Sequence, residues 1–429
     1  MKYAVITFGC RVNQADSIGF EEQLRAAGAV GAPPSDADLI VVNTCSVTAT
    51  ADQGARQTIR RVARDNPSAK IVVTGCYATR RPDEIAALPN VVRVVGNDDK
   101  PRLIPLLFSA SSASSALSLD RGDGPCGAVV EPGVAGRTAY TLRVQTGCAE
   151  PCSYCIIPST RGAPRSVSLD EVLREVDRVA AAGFKEIALT GVHLGSYGRD
   201  LTPRSSLAQL LHSLEQHAVR VKADTTARSV LFRISSLEPM DCTREIVDLV
   251  AASDCFAHHF HLPLQHASNC VLAAMRRPYA IEPYAGLVDH IRSRIPNASI
   301  GTDVIVGFPG EREEDFDALA AYLERSPLTH VHVFPYSDRP GTAASQMTGK
   351  VPGAGVRERG SRIREIGHAL ARRFRASQVG TVHRALTLDD GSVAVTGNYL
   401  KPGIPVRQPR NEWVNLRITS SDPLAAELF

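Results

Sequence analysis

Cys148, Cys152 and Cys155 stand in the stretch TGCAEPCSYCIIP at C-x3-C-x2-C spacing, with no fourth cysteine beside them. Thiolates are soft ligands that select zinc, copper(I) or iron-sulfur clusters, and a loop this short wraps three of them around one metal centre without help from distant chain. Structural zinc is closed by four ligands, and His193 or His266 would have to supply the fourth. The open alternative is a four-iron cluster, usually held by four thiolates, with one iron left free for a small molecule. The spacing favours the second arrangement, and Tyr154 directly before the last cysteine accompanies it.

A second trio is spread over the first eighty residues. Cys10, Cys45 and Cys76 each close a predicted strand, in VITFGC, VVNTC and VVTGC. In open parallel sheets ligands bind in the crevice beyond the carboxyl ends of the strands, so these thiols are expected to converge there. Burial is the plainer reading, because free cysteine is among the most buried residue types. Core thiols, however, have no reason to share one strand-end position three times. Cys126, Cys242, Cys255 and Cys270 lack companion spacing and read as structural or incidental.

The elements that must position these thiols follow from periodicity. Residues 1–108 alternate β-branched runs (YAVIT, DLIVV, KIVVT, VVRVV) with helical patterns, which predicts βαβ units and a parallel sheet covered on both faces. Residues 109–138 hold the Ser, Ala and Gly-rich SASSASSALSLDRGDGPCG, read as a linker. Over 139–371 six further strands are predicted, YTLRVQ, EIALTG, VLFRISS, HHFHLP, SIGTDVIVG and THVHVFP. Six βα units suit a partial barrel with its chemistry at the strand C-terminal ends. VRVKADTTARS before the third of these strands reads as an insertion loop, and 372–429 as a small all-β barrel.

Composition narrows the class. With 429 residues, 44% apolar and 22% charged, the chain is an ordinary globular sequence of several domains. The N-terminus carries no signal-peptide pattern, and no apolar run approaches the roughly 20 residues needed to cross a bilayer, so a cytoplasmic enzyme without a membrane partner is expected. In that reducing compartment ten cysteines argue for metal ligation or catalysis before disulfides. The net charge of +3 does not announce a nucleic-acid binder, but Arg357, Arg359, Arg362, Arg364, Arg372, Arg373 and Arg375 cluster on a helix-like run ahead of the last strand-like pieces, with Lys401, Arg407 and Arg410 among those. Such a cluster suits a phosphate-binding surface. His259 and His261 alternate on one strand and face one side; packed barrel histidines are the expectation for them.

C-x3-C-x2-C with an aromatic before its third cysteine, after the first strand of a barrel-like segment, resembles the radical S-adenosylmethionine (SAM) superfamily. TFGCRVNQADS, VNTCSVTATAD, VTGCYA, GCAEPCSYCIIPSTRG, RISSLEP, HFHLPLQ and DVIVGFPGE are further similar, nearly end to end, to the methylthiotransferases, and GCRVNQ with NTCSVT to the type acting on N6-threonylcarbamoyladenosine beside the tRNA anticodon. The resemblance implies two four-iron clusters. The one on Cys148, Cys152 and Cys155 binds and reductively cleaves SAM, giving a deoxyadenosyl radical that attacks adenine C2; the one on Cys10, Cys45 and Cys76 holds the sulfur that a second SAM methylates. It places Tyr154, Gly191, Val192, Arg233, Ser235 and Glu238 around SAM. It implies a TRAM-like RNA-binding barrel at the C-terminus, where TGNYLK falls, and tRNA, a flavodoxin- or ferredoxin-type electron donor and a sulfur source as partners. His266 and Ala267 stand where many relatives read Ser-Gly. The rival readings are the same chemistry on isopentenyladenosine or on a ribosomal protein, and a zinc-stabilised, non-catalytic RNA-binding protein.

Overall fold

The computed structural model describes residues 1–109, 138–224 and 230–429, so the expected linker and Cys126 lie outside the described residues. The N-terminal sheet is built from β1 (Lys2–Thr7), β2 (Val30–Gly31), β3 (Leu39–Thr44), β4 (Lys70–Gly75) and β5 (Val91–Val95), all parallel in the order β2-β1-β3-β4-β5. Its strands are apolar on both faces because both are covered. Ile40, Val42, Ile71 and Val73 meet Ala55 and Ile59 of the helix Ala49–Asp65, while Leu39, Val41 and Val72 meet Phe20 and Leu24 of the helix Arg11–Ala26. Thr48 fixes the start of the former helix by accepting the Ala51 N–H.

The second unit contains all six expected strands. β6 (Tyr140–Arg143) is followed by β7 (Gln145–Thr146) and β8 (Arg165–Ser166), a short antiparallel pair that brackets the C-x3-C-x2-C loop. β9 (Glu186–Thr190) and β10 (Leu231–Ile234) complete one parallel sheet with β6, in the order β10-β9-β6. β11 (His259–His261), β12 (Ser299–Val306) and β13 (His330–Pro335) form the other, in the order β11-β12-β13, and a bridge between Phe232 and Phe256 joins the two into an open barrel. Ile187, Leu189, Ile300, Val304 and Val306 enter the core shared with the outer helices. Side chains alternate along a strand, so Glu186, Ala188, Gly301 and Asp303 face the lumen.

Three expectations are corrected. The segment VRVKADTTARS is no simple loop: its first six residues end the helix Leu207–Asp224, and 225–229 lie outside the described residues. The boundary expected at 371 falls inside the continuous helix Gly353–Ser377, and β14 (Val382–Leu388) begins the antiparallel C-terminal sheet with β15 (Val393–Thr396), β16 (Trp413–Ser421) and β17 (Leu424–Leu428). That helix is also less free than its arginines suggest. Arg359 pairs with Glu311 and Glu313, Arg362 pairs with Asp317, both guanidiniums lie over the Phe316 ring, and Arg373 donates to the Ser326 carbonyl. Three of the seven arginines therefore dock the helix on the barrel.

Candidate active site

Each thiol of the N-terminal trio is set by a strand end. Cys10 follows β1, Cys45 follows β3, and Cys76 begins the helix Cys76–Arg80 directly after β4. Gly9, Gly75 and Gly147 precede Cys10, Cys76 and Cys148 with φ of +91°, +97° and +77°, the left-handed backbone that glycine adopts without a steric penalty. A Cβ on Gly9 would lie 2.6 Å from Cys45 Cβ and 2.7 Å from its Sγ, so this turn brings the chain at Cys10 against Cys45. Burial pushes the Cys45 thiol up to about 11; the Val47 N–H works against this, and the neighbouring Cys10 and Cys76 add to it. The three thiols thus share one crevice, as the strand-end argument expects.

The second trio lies on the loop between β7 and β8. Cys148 Sγ accepts the Glu150 N–H and Cys155 Sγ accepts the Ile157 N–H, both at 3.4 Å. Burial pushes the Cys155 thiol up to about 12, with Cys152 and Cys148 adding to the rise. His193 Nδ1 lies 3.9 Å from Cys148 Sγ and its Nε2 lies 2.7 Å from Asp241 Oδ2. Burial works against the His193 charge, but Asp241 and Cys148 hold its pKa at about 10. Arg277 Nη1 donates to Cys152 Sγ at 3.1 Å while the same guanidinium pairs with Glu238.

The two trios are neighbours. The helix Ile157–Arg161, which follows Cys155, packs on the helix that Cys76 begins. Asn97 Nδ2 bridges them, donating to the Thr160 carbonyl at 2.8 Å and lying 3.7 Å from Cys76 Sγ. Burial disfavours the Arg161 charge, yet Cys76, Asp16 and Cys10 outweigh it and raise its pKa. On the other flank, Arg339 donates to Ser46 Oγ at 2.9 Å and to Asp52 Oδ2 at 2.5 Å, where Arg80 also binds. Ser46 follows Cys45 and Arg80 lies one turn beyond Cys76, so buried ion pairs clamp the barrel to the sheet at the thiols themselves.

The remaining expected residues divide. Gly191 and Val192 directly follow β9, and a Cβ on Gly191 would meet Gln145 Oε1 at 3.0 Å and Leu194 Cα at 3.1 Å, so a side chain there would crowd Gln145 and the following turn. Ser235 Oγ is buried without a partner, and Tyr154 packs with Met275 and Phe308. Glu238 is no solvated loop carboxylate, since it pairs with Arg277. Arg233 departs from expectation: it is fully buried, bidentate on Glu186, and donates to the Thr396 and Gly397 carbonyls of the C-terminal sheet. Its guanidinium is committed to joining domains. His266 is also elsewhere, buried with Nδ1 accepting the Ser268 N–H. Sequence reasoning missed Arg277, Asp241 and Asp16: the first two stand in no motif with the cysteines, and Asp16, although inside TFGCRVNQADS, gives no local sign of the cations that gather on it.

Comparison with known proteins fixes the family. The family model described as uncharacterized protein family UPF0004 matches residues 2–96, and that of the radical SAM superfamily matches 142–323. A threonylcarbamoyladenosine tRNA methylthiotransferase of Bacillus subtilis is 36% identical over 87% of this chain and 81% of its own, and its counterpart in Aquifex aeolicus is 36% identical over 93% and 96%. The chain belongs to the radical SAM methylthiotransferase family. A tRNA-2-methylthio-N6-dimethylallyladenosine synthase of Carboxydothermus hydrogenoformans is 32% identical over 90% of this chain and 87% of its own. Among solved structures, the radical SAM methyltransferase TsrM of Kitasatospora setae gives a TM-score of 0.57 at 15% identity, over 80% of this chain and 74% of that one, a likeness of fold.

As a radical SAM methylthiotransferase, the enzyme takes SAM and two four-iron clusters, and the donor sets suit that chemistry. Each set offers three thiolates, the soft donors that such clusters take, one set on a single loop and the other at the ends of neighbouring strands. Backbone N–H groups on Cys45, Cys148 and Cys155 and the Arg277 guanidinium on Cys152 are the hydrogen bonds to sulfur that tune such clusters. Because burial favours the protonated thiols, loading either site releases protons.

Proposed function

We propose that the enzyme methylthiolates C2 of N6-threonylcarbamoyladenosine next to the anticodon of tRNA. The observation that carries the reading is the side-by-side packing of the two thiol trios, which suits a reaction needing both a radical and a sulfur donor at one adenine. Cys148, Cys152 and Cys155 would hold the cluster that binds SAM, with Gly191, Val192, Ser235 and Tyr154 around the cosubstrate. Cys10, Cys45 and Cys76 would hold the second cluster. When bound, these groups supply the electron that cleaves SAM and the sulfur that is transferred.

The chain's own residues position and shield. Arg277 and Glu238 fix the wall beside Cys152, the His193–Asp241 pair fixes the wall beside Cys148, and the clamps at Asp16 and Asp52 hold the barrel to the N-terminal domain beside the thiols. The C-terminal sheet is read as a TRAM-like RNA-binding module, and tRNA, an electron donor of flavodoxin or ferredoxin type, a sulfur source and the cytoplasm complete the picture. Comparing modified nucleosides from a deletion strain and its parent tests it. Selective loss of the methylthio derivative of N6-threonylcarbamoyladenosine is expected, and loss of the isopentenyl derivative instead would move the enzyme to its sister group.

A further inference from the structure

The histidines of β11 and β13 meet inside the barrel. In register, His261 and His330 flank Gly301, and His332 sits beside Asp303. Ring centroids are 6.2 Å apart for His259 and His330, 6.0 Å for His261 and His330, 5.4 Å for His261 and His332, and 5.6 Å for His330 and His332. Gly301 makes the room, since a Cβ there would lie 2.0 Å from His330 Nε2. The sequence presents these histidines as two separate alternating pairs; the fold makes them one lumen lining.

The lining is rich in donors. Asp303 Oδ1 lies 3.0 Å from His261 Nε2 and 3.8 Å from His332 Nδ1, so one carboxylate serves two imidazoles. Tyr399, in the turn after β15, packs on this lining, its ring 4.8 Å from His259 and its hydroxyl accepting from Arg11 Nη2 at 3.3 Å. Arg233, which also lies over the Tyr399 ring, is neutralised by Glu186; that phenol is the hydrogen-bond partner of Arg11, whose charge reaches His259. His259 is 7% exposed and its Nδ1 is buried without a hydrogen-bond partner. A buried polar atom of this kind is costly to leave unpaired and is satisfied when a ligand bonds to it. An imidazole nitrogen left unpaired beside the Arg11 charge suits an anionic ligand.

We propose that this pocket, formed by Arg11, His259, His261, His330 and His332, is the subsite for the carboxylate of the threonyl group on the substrate adenine. The inference rests on the function proposed above and adds how this substrate is told from others. Guanidinium and imidazole N–H groups satisfy a carboxylate, whereas a hydrocarbon substituent would leave them unpaired, the most discriminating kind of mismatch. Asp303 orients His261 and His332 and accepts from the threonyl hydroxyl.

The test uses full-length, anaerobically reconstituted enzyme and two anticodon stem-loop RNAs, one with N6-threonylcarbamoyladenosine and one with its threonyl methyl ester. The wild type should favour the acid over the ester in KM by roughly tenfold or more. Arg11→Gln and His332→Gln should bring that ratio toward one, and Arg11→Lys should restore it. Iron content is the control for folding, and His332, with a side chain 58% exposed, is the variant that the fold tolerates. Wild-type acid preference in both Gln variants overturns the subsite. A wild type that makes no methylthio product from either RNA overturns the proposed function instead.

Discussion

Arg161, six residues beyond Cys155, donates to Asn13 Oδ1 at 2.5 Å and lies 3.4 Å from Asp16 Oδ2, so the loop of one thiol trio is fastened to the helix that begins beside the other. Lys100 and Arg143 complete the cluster around Asp16. Removing one partner from a buried ion cluster leaves the others badly satisfied. We expect Arg161→Met to cost ~2 kcal/mol of stability and to raise the amount of deoxyadenosine formed per methylthio product. Thermal unfolding and product ratios check both, and unchanged ratios would mean that the link is structural alone.

Asp16 also sets a pH dependence. Burial would raise its pKa, but Lys100, Arg143 and Arg161 outweigh burial and hold it at about 2. A carboxylate depressed on folding stabilises above its unfolded pKa of roughly 3.9, and that contribution is lost as pH falls through the folded value. The stability gap between the wild type and Asp16→Asn should therefore be full above about pH 4 and shrink between about pH 4 and 2. A gap that stays constant over that window contradicts the assignment.

The two trios should fail differently. Alanine at Cys10, Cys45 or Cys76 is expected to abolish the methylthio product, keep SAM cleavage, and lower iron by about half. Alanine at Cys148, Cys152 or Cys155 should abolish both reactions. Normal product from any variant of the first group would remove the proposed division of labour.

Arg277 offers a test that does not depend on turnover. Its guanidinium donates to Cys152 Sγ at 3.1 Å, and hydrogen bonds to cluster sulfur raise the reduction potential by stabilising the more negative, reduced state. Arg277→Gln should lower the potential of the cluster on that loop by on the order of 50 mV, read by an EPR-monitored redox titration, with the other cluster unmoved. An equal shift in both would point to a general loss of structure.

The elements of this fold were legible because their signals are local. β-branched runs of strand length alternating with helical periods gave the parallel sheet and all six barrel strands, and the three cysteines at strand ends converge as that topology requires. The expected boundary at 371 missed because nothing in the arginine-rich run says that its helix docks on β13, through residues such as Gly367 packed against Val331, and continues to Ser377.

What sequence alone determined is the donor chemistry: three thiolates in eight residues, three more at strand ends, and motifs that name a family. What only the tertiary structure decided is which charges surround them. Arg277 reaches Cys152 from 125 residues away, Arg339 reaches Asp52 from 287, and Arg233 turns from the expected cosubstrate site to carbonyls 163 and 164 residues ahead. A thiolate trio is specified by spacing, which is a property of the chain; an ion pair between domains is specified by where packing brings two distant side chains, and no local pattern records it.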